Sequence, residues 1–344
     1  MAWKVKDKEL MNLLVRTGAS LLGLFTFSLA CDSPDATDLG AGKAEHRTKG
    51  YSAGGGPHWG CRDCGFTNSP FLGLHAFESV GYGTVPGASP NKLVEAVDAS
   101  GSAWPVYVDE YGLGVDKAGD ELRGDDLVGW TLIVDATTAT GSMTFEVEVY
   151  AFEEVPGWDD NEEPVPTYGL SVYDSGTDTM VNVCPGMDVD LTSVVFLDRE
   201  LYDLSSYGVN EGVDNVASMA CRGHAVAKMK LLQYGPSSGT TVEERLATLR
   251  MITADYCGDG TSNTVHGTPL DWTDQRGHVM FDENTMSSVV EAEWSEEGAL
   301  CANTPRLGGP TPVCDGQPLP SCESPFSGSI NGDVTWVSMN PPQP

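Results

Sequence analysis

Cysteine placement constrains this chain more than any other feature. Nine cysteines are spread over 344 residues, at positions 31, 61, 64, 184, 221, 257, 301, 314 and 322. A framework of this kind belongs to chains that are exported and then stapled in an oxidising compartment. Setting Cys31 aside leaves an even eight: Cys61, Cys64, Cys184, Cys221, Cys257, Cys301, Cys314 and Cys322. Counting alone leaves their connectivity open. Cys61-Arg62-Asp63-Cys64 reads as a local disulfide, because no second pair at matching spacing completes a zinc site. Cys314 and Cys322 read as the closure of a small loop in a Pro/Gly-rich tail over 308–344.

The N-terminus supports export. Lys4, Lys6, Lys8 and Arg16 precede the apolar run Leu21 to Ala30, which is too short for a membrane-spanning helix. Residues 1–30 therefore read as a signal peptide. Ser28-Leu29-Ala30-Cys31 is similar to a bacterial lipobox, so Cys31 is expected to carry lipid and to become the new N-terminus. Residues 31–57, ending in Gly54-Gly55-Gly56-Pro57, have no apolar periodicity and read as a disordered tether. The expected location is the bacterial cell envelope, as an outer-membrane lipoprotein or a secreted protein, with the lipid anchor as its contact with the membrane.

A net charge of -31 excludes nucleic acid and anionic headgroups as partners, since polyanions seek basic patches. The scattered carboxylates read as a solubilising surface.

From 58 to 157 the text is that of a small β domain. Met143, Phe145, Val147 and Val149 alternate with Thr144, Glu146 and Glu148. With the apolar run Trp130–Val134 and the turn at 138–141 they predict an antiparallel hairpin. Pro105 interrupts the stretch Ala103–Val108 and suits a sheet edge. The acidic, proline-closed stretch Trp158–Pro164 reads as a domain boundary. Beyond it, short strands at 169–173, 180–184 and 191–197 precede two predicted helices. The first is expected over 213–234. The second opens with the capping box Thr241–Glu244, carries Leu246, Leu249, Ile252 and Tyr256 at helical spacing, and ends at Gly258. The short connection predicts an αα-hairpin. The expected class is therefore α+β, β-rich, with antiparallel sheets and that hairpin in the second domain.

With Ala254-Asp255-Tyr256-Cys257 in view, residues 165–307 resemble the ADYC domain family. The resemblance rests on ordered blocks: Cys184; Met219 to Lys228; Arg250 to Gly260; His266 to Leu270; Glu291 to Trp294 with Gly298 to Cys301. It implies bacterial envelope or secreted proteins, often lipoproteins, with no established activity. Relatives typically carry cysteines where this chain has Met229 and Thr248. Losing both together is what a bond between the two helices would allow. Within the ADYC-like segment the expected pairs are Cys184–Cys221 and Cys257–Cys301.

The chemistry on offer is thin. No Walker loop, dinucleotide fingerprint or H-E-x-x-H pair is present. Asp255, Asp259 and Gly260 match part of a calcium loop, but Cys257 and His266 stand where oxygen ligands belong. No metal or cofactor is therefore expected, and Asp255 reads as an acceptor for nearby backbone amides. The expected role is non-catalytic, a recognition or structural module whose ligand is an envelope protein or a glycan. The alternative is an envelope hydrolase with Cys221 as nucleophile, His266 or His278 as base and Asp271 or Asp274 orienting it.

Overall fold

A computed structural model describes residues 79–340, except 84–88, 90, 139–140, 159–163, 175–177, 185–192, 204–207, 266–267, 269, 280–288, 324–325, 327–329 and 331. The expected signal peptide, tether and Cys61–Cys64 pair, together with Cys31 and His266, lie outside the described residues.

The chain opens with strands β1 (Ser79–Gly81), β2 (Asn91–Val97), β3 (Ala103–Trp104), β4 (Val106–Asp109), β5 (Gly112–Lys117) and β6 (Asp120–Arg123). There follow β7 (Thr131–Thr138), β8 (Gly141–Val155), β9 (Val165–Asp174), β10 (Thr179–Asn182) and β11 (Val194–Asp198). The hairpin β12 (Glu200–Asp203) and β13 (Gly208–Glu211) precedes β14 (Val216–Cys221). Seven of these strands form a ring in the order β1-β14-β11-β9-β8-β7-β2, all antiparallel except where Gly81 of β1 meets Lys92 of β2 and shuts the barrel. The alternation in β8 works as its sequence suggests. Val147 and Val149 are buried inside, and Glu146 and Glu148 face solvent. The small sheet β4-β5-β6 adds Val106, Val108, Leu113 and Val115 to the barrel core.

Helices α1 (Ala225–Leu231) and α2 (Val242–Thr253) come next. The remaining strands are β15 (Asp271–Asp274), β16 (Val289–Ser295), β17 (Gly298–Ala302), β18 (Val313–Cys314), β19 (Gln317–Pro318) and β20 (Trp336–Asn340). The second sheet runs β15-β20-β16-β17. Its three tryptophans, Trp272, Trp294 and Trp336, are fully buried with Met229, Leu249 and Ile252 of the helices. Strand β11 is shared between the two cores. Val194 and Phe196 point into the barrel, and Val195 and Leu197 face the helices. An unbroken apolar run is what a strand covered on both faces requires.

Three expectations change. The stretch 158–164 does not divide two domains, because Val155 at the end of β8 pairs with Val165 at the start of β9 inside one barrel. Acidic, proline-closed composition marks any exposed connection, including a hairpin loop. The helix expected over 213–234 is a strand followed by a helix only seven residues long. Val216 to Cys221 is buried on both faces, so its small apolar residues carry no strand alternation. The described part of the tail expected over 308–344 also contains strands, β18, β19 and β20. Strand β20 takes an inner position in the second sheet. Pro105 separates β3 from β4 and sends them to different sheets, β3 against β2 and β4 against β5.

Candidate functional site

The polar groups of the second core converge on the end of helix α2. Its start is held by the expected capping box, Glu244 N–H donating to Thr241 Oγ1 at 3.3 Å and Thr241 N–H to Glu244 Oε2 at 2.7 Å. Its end differs from expectation. The helix stops at Thr253, and Ala254, not Gly258, is the left-handed residue that terminates it, with φ of 53°. Tyr256 therefore lies beyond the helix. Gly258, also at positive φ, has another task. A Cβ there would sit 2.0 Å from the Glu297 carbonyl oxygen, so the turn and the β16–β17 hairpin touch backbone to backbone.

Each side chain of the turn is committed to a neighbour. Asp255 is fully buried; its Oδ1 accepts from Asp259 N–H at 3.1 Å, and its Oδ2 from Gly260 N–H at 3.0 Å and Arg250 Nη1 at 2.5 Å. Arg250 also donates Nε to the Glu296 carbonyl at 2.6 Å. The Tyr256 hydroxyl donates to Glu291 Oε1 at 2.5 Å and accepts from Arg306 N–H at 2.8 Å, while its ring stacks on Trp294. Burial and the neighbouring Glu291 carboxylate hold the Tyr256 phenol well above its ordinary range. Arg306 spans the site. It pairs with Glu291 at 3.1 Å and donates to the Met251 and Ile252 carbonyls at 2.9 and 3.2 Å, satisfying the last turn of α2. A second ionic group ties α2 to the β12–β13 hairpin, the buried Arg245 reaching the buried Glu200 and the exposed Glu211, both at 2.7 Å.

The cysteines close this arrangement. Cys184–Cys221 forms as expected, joining the end of β14 to the stretch after β10. Cys257 bonds Cys314, not Cys301, and Cys301 bonds Cys322. Cys301 packs with Val290, Val337 and Met339 on a separate small core, whereas Cys257 leaves the turn toward the β18–β19 hairpin. The small loop expected from Cys314 and Cys322 is therefore replaced by two long-range staples.

Among the described residues, Cys221, His278, Asp271 and Asp274 of the hydrolase alternative are each engaged elsewhere. Cys221 has its sulfur in a disulfide and lies in the barrel core. His278 is on the loop after β15, edge-on to Tyr234. Asp274 accepts from Tyr234 Oη at 2.5 Å and from Val279 N–H at 2.8 Å, and Asp271 accepts from Trp272 N–H. Glu293 lies near the sulfurs of Cys301 and Cys322, but the bond between them leaves no thiolate to ligate a metal.

The family pattern described as "ADYC domain" matches residues 124–308, more than half of the 344-residue chain. The chain belongs to the ADYC domain family. No curated protein and no solved structure matches it. The ADYC match begins some forty residues before the resemblance read from the sequence, in the short turn between β6 and barrel strand β7. In this member the four residues that name the family form a corner: a left-handed stop, a buried carboxylate, a stacked phenol and a staple. Arg306 and Arg245, which complete the buried ion pairs, were not singled out by sequence reasoning. A buried arginine leaves no periodic signal, and only its position among apolar neighbours shows that it must be paired.

Proposed function

We propose that this is an exported bacterial envelope protein, anchored in the outer membrane by lipid on Cys31, that works as a non-catalytic recognition or structural module. The observation that carries this reading is that the chemically capable side chains around the family motif are used on one another: Asp255 with Arg250, Glu291 with Arg306 and Tyr256, Cys257 with Cys314. Three disulfides among the described residues fit an oxidising compartment. We read α1 and α2 as an αα-hairpin clamped on the second sheet, which makes that half an α+β unit. The ligand of such a module is a protein or a glycan of the envelope.

Two measurements test the reading. Alkylation of the unreduced, denatured protein should find no free thiol at Cys221; a rapidly alkylated Cys221 in the folded protein would restore the hydrolase. Detergent partitioning with intact-mass analysis of the processed precursor should find lipid on Cys31; a soluble product with unmodified Cys31 removes the anchor.

A further inference from the structure

The barrel presents one open face that the interior chemistry does not explain. On its outer side Tyr150, Tyr173 and Met180 are 44%, 50% and 46% exposed. They adjoin one another across β8, β9 and β10. Met180 stands opposite Tyr173, and the Tyr150 ring lies over Gly169, where a Cβ would come within 2.7 Å of it. Asn182 of β10 donates to the Tyr150 hydroxyl at 2.8 Å and fixes the ring across the strand between them. Glu148 sits opposite Ser171 on the same face, and Glu146 is one alternation away, opposite Ile133. Both glutamates are exposed, and no cation of the described residues reaches either. Strands β7, β8, β9 and β10 contain no lysine or arginine at all.

Elsewhere this protein uses the same combination to hold its own cations. Lys117 Nζ lies 5.5 and 5.2 Å from the ring centres of Trp104 and Trp130, with Asp98 Oδ2 at 3.0 Å. The Arg123 guanidinium sits 4.9 Å over Tyr107 and 5.7 Å over Tyr111, and donates to both oxygens of Asp109 at 2.8 and 2.6 Å. In each case ring faces and a carboxylate converge on one cation, as quadrupole attraction and charge-assisted hydrogen bonding favour. The β8–β9–β10 face offers rings and carboxylates of the same kind, turned outward.

We propose that this face docks a lysine- or arginine-bearing segment of another envelope protein, its cations over Tyr150 and Tyr173 and against Glu146 and Glu148. The proposal rests on the recognition reading above and names its surface and its ligand class. Asn182 holds the Tyr150 hydroxyl and Asp178 accepts from that of Tyr173, so the rings are pre-placed and an extended basic segment can lie along the face with little rearrangement of the protein.

The test uses a short lysine–glycine repeat peptide and the full processed protein, with affinity measured by calorimetry at low and physiological salt. Any strongly acidic protein attracts such a peptide, so each variant is compared with a protein of its own charge, the glutamate pair with a control pair and the tyrosine pair with the parent. Glu146→Gln/Glu148→Gln should weaken binding about tenfold, and Tyr150→Ser/Tyr173→Ser by a similar factor. The control pair Asp120→Asn/Asp126→Asn, exposed on another sheet and its following turn, should change it less than about twofold. Melting curves of the two charge variants should match the parent, and binding by the tyrosine variant is measured well below its own melting transition. Equal losses in the control and face variants overturn the site while leaving the recognition reading standing. No peptide binding by the parent protein, or a neutral oligosaccharide bound in its place and lost in the tyrosine variant, also overturns the proposal.

Discussion

Glu291 and Arg306 are both fully or almost fully buried, and each would be costly alone. Removing one partner of such a pair leaves an uncompensated charge in the core, typically worth about 3–5 kcal/mol. Glu291→Ala should therefore lower the denaturant midpoint far more than an exposed change such as Glu297→Ala, whose effect should stay within about 0.5 kcal/mol. Lys230 offers a pH test. It is buried, donates to the Phe196 carbonyl at 2.9 Å, and burial holds its ammonium down to about 8 from an ordinary 10.5. Below about 8 both folded and unfolded chains carry the proton, and the cost is present in full. Between about 8 and 10.5 the unfolded chain binds more protons, so this residue makes stability rise with pH across that window. Buried tyrosines whose phenols are held up, Tyr168 among them at about 12, oppose the rise above the ordinary phenol value of 10. Melting temperatures from pH 7 to 9.5 should climb less steeply in Lys230→Met than in the parent. Identical slopes would show that Lys230 does not titrate in this range.

At the scale of elements, the end of α2 is fixed by a hydrogen-bonded turn and by a covalent bond. Cys257–Cys314 closes a separation of 57 residues, for which loop entropy gives about 4 kcal/mol, less any native strain. Cys257→Ser/Cys314→Ser should lower thermal stability by several degrees or more. Thr248→Ser, which keeps the hydroxyl that accepts from Trp336 Nε1 at 2.8 Å, should cost far less. Met229 and Thr248 are both fully buried. Gly258→Ala probes the contact between the turn and the β16–β17 hairpin. A methyl placed 2.0 Å from a backbone oxygen cannot be absorbed by a side-chain rotation, so the hairpin must shift. Hydrogen exchange at Ala299, whose N–H bonds the Tyr256 carbonyl at 2.9 Å, should speed up in that variant and remain unchanged in Gly277→Ala, where the same methyl meets open space.

At the scale of the molecule, the family segment does not contain every strand of the two sheets it enters. Residues 124–308 lack β1 and β2, which close the barrel, and β20, which lies between β15 and β16. Expressed alone, that segment should show neither a cooperative melt nor protected amides, whereas residues 79–340 should show both. A cooperative transition in the shorter piece would mean that the barrel tolerates an open edge.

The sequence by itself determined the local features. The strict alternation of β8 fixed which face is buried, and Thr241 with Glu244 fixed where α2 begins. The Ala254–Gly260 stretch marked a corner with Asp255 as acceptor, because each rests on residues within a few positions of one another. Tertiary structure alone decided the rest. Val216 to Cys221 became a strand and not a helix because both its faces are covered by distant segments, which erases the periodicity a sequence can display. Cys257 met Cys314, and Cys301 met Cys322, because β17 turns Cys301 into a different core from the one that ends at the corner. Arg306 became the cap of a helix more than fifty residues earlier, since buried charge finds its partner in space and not along the chain.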